Sequence, residues 1–229
     1  MIKPSIVLAI VLTSLSWAQS PPGPVSAASV WQTPSDFADQ AHSACDKLSL
    51  PTKFADCVLD QMTKAGAPAA AVDFTRELYK NNGGQIGILA GFHKAGPVDI
   101  AWVKYPLSLT NGLLLVNGHP RLVNAEDLKL LDTKDMKSSF QFQDLKNQFP
   151  KVSVWPGDRD GKTWPNSQAG PNGGVQFVIG YPLRNGCQTC ASAGYALFTW
   201  NFDPTGKFLG TTFLGMTPPP IQPAPAQSQ

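Results

Sequence analysis

The chain has 229 residues, of which 15% are charged and 42% hydrophobic, with a formal net charge of +2 at pH 7. No dense Lys/Arg cluster breaks that near-neutral balance, which excludes the electrostatic footprint of a nucleic-acid binder or of a domain held on an anionic membrane. The 21 prolines and 20 glycines argue against a bundle of long helices and for strands, turns and irregular loops.

Residues 1–18 read as a secretory signal peptide. Lys3 supplies the cationic start, Ile6 to Leu15 the apolar run, and Ser16 and Ala18 the small residues before cleavage. The run is too short to span a bilayer, which takes about 20 apolar residues. No later segment reaches that length, so no transmembrane anchor is expected. The mature protein is then periplasmic or secreted, in a compartment where disulfides persist. Residues 19–32, rich in Pro, Ser and Ala, read as a flexible linker.

Thr33-Pro-Ser-Asp36 carries the marks of a helix start, with Thr33 as the expected cap and Pro34 in the first position. Phe37, Ala41, Ala44 and Cys45 then share one face. After Pro51, a second helix aligns Phe54, Cys57, Val58 and Met62 before Gly66. Pro68 opens a third, with Ala71, Phe74, Thr75, Leu78 and Tyr79 on its stripe, closed by Asn81-Asn-Gly-Gly84.

Beyond Gly84 the period changes to two. Ile86, Ile88, Ala90 and Phe92 alternate in one strand, and Val98, Ile100 and Trp102 in the next, forming a hairpin. A second hairpin is expected from Leu113–Val116 and His119–Val123 around Asn117-Gly118, with Pro120 marking an edge. Asn124 opens a short helix to Leu131. Another begins at Asp132 or Thr133, carries Met136, Phe140 and Leu145, and ends at Pro150. Strands follow at 151–155, 174–181, 194–202 and 207–213, the last two joined by Asp203-Pro-Thr-Gly206, and a long loop runs from Pro156 to Gly173. The order predicts an α+β domain over 33–216: a helical hairpin and a third helix on one face of a mainly antiparallel β-sheet. From 217 to 229 a Pro-rich tail reads as disordered.

Four cysteines carry the clearest chemistry. Cys45 and Cys57 lie on the apolar stripes of adjacent antiparallel helices, where a disulfide fits. Cys187-Gln-Thr-Cys190 admits three readings: a local staple, a redox centre or half a metal site. Glycines on either side deny it the helix N-terminus that a redox centre uses, no second metal knuckle exists, and Ala191 stands where haem attachment needs His. The staple is therefore the favoured reading, although four cysteines allow three connectivities.

The long loop holds the candidate ligand-binding residues: Trp155, Asp158, Arg159, Asp160 and Trp164. Its aromatic faces suit a sugar or a proline-rich peptide, or they pin the loop to the sheet below. Asp158 and Asp160 lack the further ligands of a calcium loop. Among the histidines, His42 reads as surface, while His93 or His119 with loop acids is the hydrolase alternative. No motif calls for a cofactor or a metal. The expected function is a non-catalytic binding or interaction domain of the cell envelope or extracellular space, with an unknown ligand or protein partner. The alternatives are a thiol-disulfide oxidoreductase using Cys187 and Cys190, or that hydrolase.

Overall fold

The computed structural model describes residues 23–106, 108, 110–157, 163–190 and 192–218. The expected signal peptide, the cluster Asp158-Arg-Asp160 and all but the start of the Pro-rich tail lie outside these residues. Three helices come first: α1 (Phe37–Cys45), α2 (Pro51–Lys64) and α3 (Ala69–Asn81). Strands β1 (Ile88–His93), β2 (Asp99–Tyr105), β3 (Thr110–Val116) and β4 (Leu122–Asn124) then form an antiparallel sheet in that order. Two short helices, α4 (Lys134–Ser138) and α5 (Phe140–Gln148), lead to the second sheet. Its strands are β5 (Val152–Val154), β6 (Asn166–Ala169), β7 (Val175–Asn185), β8 (Ser192–Phe202) and β9 (Phe208–Thr217). They run β5-β7-β8-β9, with β6 also on β7.

The α+β class is as expected, but the strands divide between two antiparallel sheets. Ile100, Trp102, Leu113 and Leu115 of the first sheet meet Phe177, Ile179, Phe198 and Trp200 of the second in one core. On the other face of the first sheet, Ala101, Val103, Leu114 and Val116 pack against Phe74 and Leu78 of α3. Alternation therefore sorts β2 between two cores, and both of its faces are buried from Asp99 to Val103. A third cluster joins α1 and α2 to the start of β1 through Phe37, Ala41, Val58, Met62 and Ile88. Among the described residues no helix is long and apolar enough to cross a membrane.

Several local expectations are corrected. Residues 23–32 do not behave as a linker: Val25 and Trp31 are buried, and Trp31 donates its backbone N–H to Leu89 O at 3.0 Å. Two apolar side chains suffice to seat this stretch, although its overall composition carries no core signal. Helix α1 starts at Phe37 after Asp36 rather than from Thr33, and Asp36 accepts a bond from Gln40 Nε2 at 2.6 Å. The segment after Asn124 forms only a 3-10 turn, Leu128–Leu130. The next expected helix breaks in two at Ser139. Asn117 adopts φ +67° as its turn signal required, but the loop continues to Arg121, whose carbonyl accepts the Asn117 N–H at 2.9 Å. Strand β6, exposed along its whole length and polar but for Ala169, lies inside the expected long loop and has no apolar alternation to announce it.

Candidate functional site

The break at Ser139 sets the roll of α5. The Ser139 hydroxyl accepts from Phe142 N–H at 3.2 Å and donates to Met136 O at 2.8 Å, capping the helix. Phe142 consequently turns into the core, and Phe140, the residue expected there, is 85% exposed. Leu145 and Phe149 follow Phe142 toward the second sheet.

Opposite them the second sheet ends in a bulge. Leu183 pairs with Gly194 and Arg184 with Ser192, so Ala193 is the extra residue on β8. A bulge of this kind re-aims a side chain. Ser192 clips it, donating to Gly194 O at 3.0 Å and accepting Gly194 N–H at 3.3 Å. Gly194 has φ +137°, and a Cβ there would stand 2.5 Å from Thr217 O, so only glycine lets the end of β9 approach.

Between α5 and this bulged end lies a groove of about 460 Å³. Leu145 and Phe149 form one wall, and Leu183, Ala193 and Met216 form the floor. Gln141, Gln148 and Asp144 stand at the rim, the two amides able to donate or accept and the carboxylate to accept. Volume and lining match those of small-molecule sites, which are apolar with a few polar groups. Among its described lining residues there is no histidine, and the Ser192 hydroxyl is committed to the bulge. The arrangement buries an apolar group and orients it by rim hydrogen bonds. Sequence reasoning missed it because its parts come from three distant segments. The only local signals were Phe149 ahead of Pro150 and a glycine shortly after the Cys-x-x-Cys pair.

A second cleft, about 410 Å³, lies beside Phe54, Tyr79, Ile86 and Tyr105. It is built largely on connecting segments, whereas the α5 groove has strands for its floor.

Of the sequence-predicted site residues, Trp164 lies inward. Its ring stacks on His93 with centroids 5.5 Å apart, and its centroid is 5.7 Å from that of Trp102. Trp155 is half-buried and tied by its backbone N–H to Pro182 O at 3.0 Å. Its indole N–H is buried with no hydrogen-bond partner among the described residues. The loop that both belong to is also held by Gly157 N–H, which donates to Glu126 Oε2 at 2.9 Å. These contacts are what the pinning alternative required. Asp158, Arg159 and Asp160 lie outside the described residues.

Both cysteine pairs are disulfides. Cys45–Cys57 joins α1 to α2 with Cα atoms 5.8 Å apart, and Cys187–Cys190 closes the connection between β7 and β8 at 5.2 Å. His93 is occupied by Trp164, and exposed His119 uses its backbone to hold Gly206 and Phe208. Among the described residues the one histidine–carboxylate contact is exposed His42 with Asp46, 3.9 Å apart. No group of three or more His, Cys, Asp or Glu is placed to hold a metal among the described residues.

Comparison with known proteins returns nothing: no family model, no curated protein and no solved structure matches this chain.

Proposed function

We propose that this chain is an exported, disulfide-stabilised binding domain that acts without catalysis, and that it takes an apolar ligand or an apolar side chain of a partner into the groove beneath α5. The observation that carries this reading is the groove itself: an apolar floor on paired strands, a bulge residue turned into it, and two amides and a carboxylate at the rim. Two disulfides in one domain fit the extracellular or periplasmic compartment that the leader implies.

The test is binding of a neutral apolar dye, Nile red, to the full mature chain. Saturable binding at one site is expected, and Ala193→Leu, which fills the groove from its floor, is expected to remove it while leaving the circular dichroism melt close to the parent's. Saturable binding that survives Ala193→Leu would place the ligand elsewhere, and the second cleft beside Tyr105 would then be the site to block.

A further inference from the structure

The two disulfides occupy different surroundings. Cys45 is fully buried in the cluster between α1 and α2, and Cys57 is half-buried against that cluster. Cys187 and Cys190 are both half-exposed at the end of a hairpin. One cation stands beside that second pair. Arg184 donates from its guanidinium to Cys190 O at 2.6 Å, and the aliphatic stem of Lys151, through its Cβ and Cδ, packs 3.4 Å from where a Cβ on Gly186 would be. Among the described residues Arg184 makes no ion pair. Partial exposure in an electropositive setting is what favours a thiolate, and a sulfur that leaves readily as thiolate exchanges readily.

The same hairpin end forms the groove. Arg184 bonds Cys190 on one side and pairs with Ser192 on the other. Ser192 clips the bulge that aims Ala193, and the bulge's Gly194 meets the end of β9 at Thr217. Ser192, Ala193 and Thr217 all line the groove.

We propose that Cys187–Cys190 is an exchangeable crosslink that sets the groove's affinity, a redox control resting on the groove reading above. A dithiol reductant supplies the two electrons and two protons. One of its thiolates attacks Cys187 or Cys190, forming a mixed disulfide and releasing the other cysteine as thiolate, which takes up a proton. The reductant's second thiol then displaces the first cysteine, leaving the reductant as a disulfide and both cysteines as thiols. Without the crosslink, the Cys190 carbonyl no longer fixes Arg184 beside Ser192, and the bulge loosens.

The experiment titrates the folded full mature chain with dithiothreitol, traps thiols with iodoacetamide for peptide mass spectrometry, and measures Nile red binding in parallel. Cys187 and Cys190 are expected to be alkylated before Cys45 and Cys57, while dye affinity falls about fivefold, the lower end of ordinary coupling between two sites. The Cys187→Ser/Cys190→Ser double variant is expected to hold the weakened affinity with or without dithiothreitol. Alkylation of all four cysteines in one step would overturn the proposal. Selective alkylation with unchanged dye affinity would overturn the coupling and leave the groove reading standing. Absence of dye binding to the oxidised protein would remove the groove reading and the coupling together.

Discussion

Tyr105 leaves the end of β2 and lies between Gly87 and Gly112, where added Cβ atoms would stand 2.8 and 2.7 Å from its ring. Its hydroxyl accepts from Asn82 Nδ2 at 3.2 Å. Burial is the main force raising its pKa to about 12, the Asn82 hydrogen bond opposes it, and the Glu126 charge adds to the rise. The folded state thus keeps a proton that the unfolded chain loses near pH 10. This contribution to stability is intact below pH 10 and drains away as pH climbs from 10 to about 12. Tyr105→Phe should flatten the decline in that window, as followed by denaturant melts, and should delete the late phenolate step from an ultraviolet titration. Gly112→Ala should cost about 1–3 kcal/mol, because the new methyl displaces the ring. Neither glycine could be assigned this role from sequence, since a strand glycine signals close approach without naming what approaches.

At the scale of elements, a cap and a crosslink can be weighed. Ser139→Ala removes the acceptor of the Phe142 N–H and should cost about 1 kcal/mol, with Phe142 less protected in hydrogen exchange. Removing Cys45–Cys57 by a double alanine substitution should cost about 3 kcal/mol by the loop-closure estimate, measured as a lower denaturation midpoint. The first three helices were legible because their apolar residues keep a single period between clear breakers, and the Cys45–Cys57 bridge followed from that period. Residues 133–149 were legible only in part. Both Phe140 and Phe142 are apolar, and the choice between them depends on a hydroxyl cap that periodicity does not see. Strand β6 and the groove were not legible, because the first has no apolar alternation and the second is assembled from strands whose partners lie far along the chain.

Across the whole molecule, the first sheet separates two cores, and its closure depends on a few polar clasps. Asn117 accepts from Val25 N–H and donates to Val25 O, both at 2.8 Å, and donates to Asp99 Oδ2 at 2.8 Å. Asn117→Ala leaves buried Asp99 short of a donor and frees the stretch around Val25. A loss of about 1–3 kcal/mol is expected, with new protease cleavage near residues 23–31 as the readout. Alternation along β2 identified both sets of side chains, yet it could not say that one set meets helices and the other a separate sheet. That division is decided by long-range pairing, which a single sequence does not display. The two sheets are also stitched at one end: His119 donates to Gly206 O at 2.7 Å and accepts from Phe208 N–H at 2.8 Å. Because this stitch is main chain, truncating the His119 or Phe208 side chain leaves its donors and acceptors in place. A laminate glued only by oily contacts can slip between its plies, whereas this one is riveted at a corner, so shear must first tear two amide bonds' worth of hydrogen bonding before the plies can slide.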